Sequence, residues 1–294
     1  MNIGIIANKY KIKYKIDEGG FGDIYLGSII ETNENILIKL EFKKCGSRNS
    51  LIKEYEIYKQ LNNNIYFPKI HLYTQERESN ILILDLNGPS IKKIFSRFNK
   101  QFSLKTILML SIQILKRLEF IHSKNIIHCD IKPDNIILGA GKNLNIIQLI
   151  DFGISEFYYN LENNTHKLFK ENQGFKGTIT YSSINAQKEV SLSRRDDLES
   201  FGYMMIYLLK GSLPWSSLDI KEKKEKKKKI LEIKETITNE ELCKYCPVEF
   251  KKYFDYCKNL QFDETPDYKY LIGLFDTLFL EKKYIYDNKY DWMI

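Results

Sequence analysis

Apolar and polar residues alternate over residues 10–18 and 23–28, and residues 36–40 form a short apolar run that carries one lysine, Lys39. A period of two is that of a strand with one buried face, so these stretches predict three strands. Leu51, Tyr55, Tyr58 and Leu61 then recur at helical spacing, with Glu54 close to their face. Residues 80–86 return to a strand pattern and run into the breakers Asn87-Gly88-Pro89-Ser90, which end it. Helical periods dominate beyond that point. Leu104, Ile107, Leu108, Leu115 and Leu118 mark one long helix, and Leu198, Phe201, Met205, Ile206 and Leu209 a second that closes at Gly211 and Pro214. The change of period divides the chain into a strand-rich part, residues 1–87, and a helical part, residues 88–294. The fold class expected is α+β, a small antiparallel-sheet lobe with one helix followed by a larger, mainly helical lobe.

Composition adds limits to this picture. With 294 residues, 43% hydrophobic and 28% charged, the chain buries a substantial core and is not disordered. No apolar run reaches the eighteen residues of a membrane helix, and the first ten residues lack the core of a signal peptide. A cytoplasmic or nuclear protein is expected, with no membrane partner. Five cysteines, Cys45, Cys129, Cys243, Cys246 and Cys257, are an odd number without framework spacing, as for reduced thiols. Cys243 and Cys246 form a C-x-x-C, but with no second pair it is a poor zinc site. The net charge of +7 suits an acidic or phosphate-rich partner. Residues 221–229 hold seven lysines and two glutamates, a pattern for a solvated helix face or a mobile loop, or else for nuclear import or contact with acidic substrates. Nucleic acid is not expected, because the run lacks aromatic or glycine-spaced recognition features.

The chemistry concentrates in His128-Cys129-Asp130-Ile131-Lys132-Pro133-Asp134-Asn135 and, sixteen residues on, Asp151-Phe152-Gly153. Phosphoryl transfer needs an acceptor for the hydroxyl proton, a cation on the transferring phosphate and side-chain oxygens on the metal. Asp130, Lys132 and the pair Asn135 and Asp151 are of those types, and the two stretches resemble the catalytic and metal-binding loops of a protein kinase. Three further features agree. The turn Asp17-Glu18-Gly19-Gly20-Phe21-Gly22 can offer backbone N–H groups to phosphates, though a glycine-rich hairpin alone is a weak signal. A half-buried Glu54 needs a cation, and Lys39 is the candidate. Asp85, Leu86 and Asn87, read as the end of an edge strand, would leave backbone groups for an adenine edge. Asp197, in the first turn of its helix, can cap that helix or reach the backbone of the His128 loop.

Ser183-Ile184-Asn185 stands where most kinases carry an A-P-E motif, and it resembles the S-I-N signature of the casein kinase 1 family. Leu86-Asn87-Gly88-Pro89-Ser90, Ile121-His122-Ser123-Lys124-Asn125, the stretch from Ser193 through Arg194-Arg195-Asp196-Asp197 to Ser200, Gly211-Ser212-Leu213-Pro214-Trp215 and Pro266-Asp267-Tyr268 carry the same resemblance. It implies a bilobal protein-kinase fold and transfer from ATP with Mg2+ to Ser or Thr of proteins, often near acidic or phosphorylated segments. A monomer is expected. Position by position, it makes Lys39 the phosphate-binding lysine, Glu54 its helix partner, Asp130 the base, Lys132 the residue that steadies the transferring phosphate, and Asn135 and Asp151 the metal ligands. Ile16, Ile24, Leu37, Leu84, Leu86, Ile137 and Ile150 would line the adenine pocket, and Asp17, Gly19 and Gly22 the phosphate turn.

Four departures stand out. Asp17 replaces the first glycine of the turn and puts a carboxylate near the phosphates. Leu37 replaces the small residue before the strand lysine and adds bulk over the adenine. Cys129 replaces the arginine that pairs with a phosphorylated activation segment, so that route of activation should be absent. Gln173 and Thr180 replace two cations of the family's anion site and leave Lys226, so preference for phospho-primed substrates should be weakened. The first two also keep open a rival reading, a nucleotide-binding scaffold with weakened catalysis.

Overall fold

The computed structural model describes residues 4–19, 22–42, 49–61, 64–76, 79–98, 100–160 and 162–293. Gly20 and Phe21 of the glycine-rich turn, and Cys45, lie outside them. The chain divides into two compact units, residues 1–88 with 137–154, and residues 89–136 with 155–294.

In the first unit β1 (Ile5–Ile6), β2 (Tyr10–Gly19), β3 (Gly22–Ile29), β4 (Asn35–Phe42), β5 (Ile70–Glu76) and β6 (Ser79–Asp85) form one sheet in the order β1-β2-β3-β4-β6-β5, antiparallel throughout. The alternation read from the sequence decides its two faces. Ile36, Ile38, Ile81 and Ile83 join Ile6, Tyr10 and Ile29 in a buried cluster on one face. Register places Lys39 opposite Ile24 and Leu82, and Leu37 opposite Leu26 and Leu84, on the other. Strand β6 is not an edge strand as expected: it lies between β4 and β5, because residues 70–76 form a strand of mixed polarity that carries no clear period. The helix α1 (Ser50–Gln60) buries Leu51, Glu54, Ile57 and Tyr58.

Residues 137–154 join this unit through specific bonds. Gly88 N donates to Leu138 O at 2.8 Å, and Leu149 N to Tyr66 O at 3.2 Å. The Gln148 side-chain amide donates to Ile65 O at 2.9 Å. Phe152 is wholly buried, edge-on to Tyr58 with ring centroids 5.2 Å apart, and tilted against Phe67.

The second unit contains α2 (Ile91–Phe95), α3 (Leu104–Ser123), α4 (Ile184–Gln187), α5 (Arg194–Lys210), α6 (Lys223–Thr236), α7 (Asn239–Leu242), α8 (Val248–Asn259) and α9 (Tyr268–Glu281). Both long helices match their sequence periods, and their ends have local causes. Helix α3 starts where the Ser103 hydroxyl accepts from Thr106 N. It is buried on nearly every side, as befits a central helix. Helix α5 starts with a reciprocal capping box between Ser193 and Asp196 and ends at Gly211 in the left-handed conformation, φ 83°. Among the described residues no helix is long and apolar enough to cross a membrane.

Candidate active site

In the first unit the strand pattern fixes where Lys39 points, and the helical pattern fixes Glu54. Lys39 Nζ donates to Glu54 Oε1 at 2.7 Å and Oε2 at 2.9 Å, and to Asp151 Oδ1 at 3.4 Å. The Glu54 side chain is 2% exposed. Burial opposes the lysine's charge, but the two carboxylates outweigh it and hold the ammonium above its ordinary pKa. Asp151 adopts φ 71°, a strained setting for a residue with a side chain.

Of the residues expected to receive a nucleotide, Ile24, Leu37 and Leu84 share the lysine's face of the sheet by register. Ile24 and Leu37 are half-buried and Leu84 is buried, while Leu86, Ile137 and Ile150 are half-buried in the same unit. Ile16 falls at a register irregularity between Lys15 and Asp17 and is 46% exposed. Asp17 pairs with Ile24 across β2 and β3, and its carboxylate accepts from the backbone N of Glu18 at 2.8 Å. Its φ is not positive, so the position does not require the glycine it replaces. Gly19 and Gly22 pair across the turn. Gly22 has φ 139°, and a Cβ there would lie 2.0 Å from Leu40 O, so this glycine is required.

Asp85 N donates to Lys69 O at 3.0 Å, and its carboxylate accepts from His71 Nε2 at 2.7 Å. Its N–H is therefore already used. Leu86 and Asn87 follow the strand end with no backbone partner among the described residues, and Asn87 Nδ2 is buried without one.

In the second unit the catalytic loop is held from behind by Asp197. Its Oδ2 accepts from His128 N at 2.6 Å, and Oδ1 from Cys129 N at 2.8 Å. Capping of α5 falls to Ser193 and Asp196, so of the two roles open to Asp197 only the reach to the loop is realised. His122 Nε2 also bonds Asp197 Oδ2, at 2.9 Å, and His122 Nδ1 meets the Tyr268 hydroxyl. Burial alone would raise the Asp197 carboxyl, but His122 and the backbone N–H of His128 hold it below the ordinary range. With its N–H taken by Asp197, Cys129 sits at φ 68°, and burial pushes its thiol well up.

Asp130, 8% exposed, is the centre of a small network. Lys132 Nζ donates to its Oδ2 at 2.6 Å, and the Thr178 hydroxyl to its Oδ1 at 2.8 Å. Lys132 also reaches Thr178 Oγ1 at 3.1 Å. Asn135 Nδ2 donates to Asp130 O at 2.9 Å, which turns the amide nitrogen toward the loop. Thr178 had only a motif position in the sequence. Gly177 before it has φ 97°, and a Cβ there would lie 2.7 Å from Cys129 O, so a glycine-threonine pair beside this loop was the available signal.

The S-I-N residues meet the start of α5. Ser183 Oγ donates to Asp196 Oδ1 at 2.7 Å, Asn185 Nδ2 to the same oxygen at 3.0 Å, and Ile184 N to Glu199 Oε1 at 3.0 Å. Beneath residues 178–182 lies Lys234, unexpected from sequence except that it follows Ile230 by one helical turn. It is wholly buried and donates to Ser182 O at 2.6 Å and Ile179 O at 3.3 Å, with its ammonium over the rings of Tyr203 and Trp215.

The lysine run forms the first half of α6 and is mostly exposed, a solvated helix face. The lysine it turns onto the segment is Lys227 rather than Lys226: Lys227 pairs with Glu189 and lies over Phe175. Gln173 shares a cavity with Lys167, Lys170 and Lys176, three cations that no motif singled out.

A base held by a lysine, a lysine held by a helix glutamate, and a loop fixed from behind by a buried aspartate are the parts phosphoryl transfer asks for. The family model for the protein kinase domain matches residues 10–265. This chain belongs to the protein kinase family. The kinase fold expected from the sequence holds in each lobe, with a six-stranded antiparallel sheet and one helix in the small one and helices dominating the large one. Membership makes ATP its phosphate donor and proteins its substrates.

Kinases also use a divalent ion. Among the described residues no group of three His, Cys, Asp or Glu could hold a metal. Magnesium does not need one, since it binds through one or two side-chain oxygens and the substrate's phosphates. The Asp151 carboxylate, in the first unit, and the Asn135 amide oxygen, in the second, are each donors of that hard type.

Proposed function

We propose that the chain is a serine/threonine kinase of the casein kinase 1 type, transferring the γ-phosphate of ATP to hydroxyls of acidic protein segments with Mg2+. The observation that carries this reading is the Lys132–Asp130–Thr178 network, with Lys132 Nζ 2.6 Å from the carboxylate. A lysine two residues after the base is the Ser/Thr pattern. Asp130 accepts the proton of the attacking hydroxyl, and Lys132 offsets charge on the phosphoryl group as it passes. Lys39, fixed by Glu54, orients the phosphates. Asp151 and Asn135 would hold the ion, which supplies charge neutralisation at the phosphates. The preference for acidic segments draws support from Lys170, which lines the cavity beside Gln173, and from the exposed lysines of α6.

Purified protein with Mg-ATP and casein or an acidic peptide should phosphorylate Ser and Thr, and Asp130→Asn should lower kcat by about a thousandfold. Chelation should stop transfer and added Mg2+ restore it. Equal rates for wild type and Asp130→Asn would remove Asp130 from its role. ATP binding without transfer to any substrate would favour the scaffold reading.

A further inference from the structure

One ion cluster in the second unit has no part in transfer as assigned above. A cavity of about 210 Å3 is lined by Glu156, Lys167, Lys170, Gln173 and Lys176, together with Ser191 and apolar neighbours. Glu156 Oε2 accepts from Lys167 Nζ at 2.7 Å, and Oε1 accepts from Lys176 Nζ. Burial alone would raise this carboxyl, but the two ammoniums hold it below the ordinary range. The backbone of Glu156 is anchored separately. In a two-stranded ladder it pairs with Ile127, the residue before His128, and the neighbouring Ser155 hydroxyl donates to His128 O at 3.0 Å.

Lys176 is followed directly by Gly177 and Thr178. Gly177 lies against Cys129 O with no space for a Cβ, and the Thr178 hydroxyl meets both Asp130 and Lys132. A single residue, Gly177, therefore separates a cation fixed on Glu156 from a hydroxyl fixed on the base. Where a phosphate orders such a segment, it does so as an anion between cations. Here the anion is part of the chain, and Cys129 contributes no guanidinium.

We propose that Glu156 is a positioning residue for phosphoryl transfer: its carboxylate is a built-in anion that gathers Lys167 and Lys176 and so seats Gly177 and Thr178 on the catalytic loop with no phosphate on the segment. This rests on reading the chain as an active kinase. It also gives a reason for weak phospho-priming, because a phosphoserine must compete for these lysines with a tethered carboxylate at an effective concentration of about millimolar or above.

The test compares Glu156→Ala, Glu156→Gln and Glu156→Asp with wild type in steady-state kinetics, with and without acetate or inorganic phosphate. Limited trypsin digestion reports cleavage at Lys167, Lys170 and Lys176 independently of activity. Loss of the two charge-assisted bonds should lower kcat of the Ala and Gln variants about tenfold to a hundredfold, with KM for ATP little changed and Asp largely restoring it. Either anion should recover part of the Ala variant's activity and its resistance to trypsin, and leave wild type unchanged. Phosphatase treatment should not affect wild type. The proposal is overturned by an Ala variant with wild-type kcat and trypsin resistance, by an impaired Ala variant that neither anion rescues, or by a wild type that phosphatase inactivates. A wild type that transfers nothing would sink the kinase reading, while the trypsin arm would still decide whether Glu156 orders the segment.

Discussion

Lys39 and Glu54 show how residue-scale energetics follow from burial. Both oxygens of Glu54 are within 2.9 Å of Lys39 Nζ, and the carboxylate has almost no water. Removing one partner from such a pair leaves a charge uncompensated, which costs about 3 to 5 kcal/mol, whereas removing both costs less. Lys39→Met should therefore lower the urea midpoint strongly, and Lys39→Met with Glu54→Gln should destabilise less than the sum of the two. Additive effects would mean that the pair does not couple in solution. This contact was legible in the sequence because a period-two strand and a helical period each aim one side chain. Thr178 and Glu156 were not, because loop geometry brings them in: a positive φ at Gly177 and a two-residue ladder at Ile127 leave no periodic trace.

Among elements, α5 does the most for the catalytic loop. Its capping box leaves Asp197, the next residue, available to accept two backbone N–H groups of the loop and a bond from His122. Asp197→Asn keeps the shape but presents an NH2 to one of those donors. It should lower kcat and the melting temperature together, with a stability loss of about 1 to 3 kcal/mol for the unsatisfied buried donor, and with KM for ATP little changed. Calorimetry and steady-state kinetics would check this, and an unchanged melting temperature would count against the role. The bounds of α3 and α5 could be read closely from caps and periods. Strand β6 was misjudged as an edge because its outer neighbour, residues 70–76, alternates only weakly, so its pairing is a tertiary fact rather than a local one.

At the scale of the whole molecule, pH acts through Lys234. Burial pushes it from an ordinary 10.5 down to about 7, against the pull of Glu199. Between those values the unfolded chain holds a proton here that the folded chain has lost, so the stability contributed by this group rises with pH from about 7 to 10.5. Below about 7 the full cost of a buried cation remains. Measured by urea unfolding, wild type minus Lys234→Met should be least favourable near about pH 6 and improve toward about pH 9. A flat difference would mean that Ser182 O, Ile179 O and the two rings keep the ammonium charged. Composition and period set out the two-part organisation, but not the grouping of residues 137–154 with the first 88, which depends on bonds such as Gln148 to Ile65 O.

That grouping bears on vectorial synthesis. The first unit is discontinuous in the chain, so it cannot be completed while its first 88 residues are the only ones outside the ribosome. Tyr58 and Phe67 wait for Phe152, and α3 emerges in between. A nascent chain stalled before residue 152 would leave uncovered the apolar surface of Tyr58 and Phe67 against which Phe152 packs.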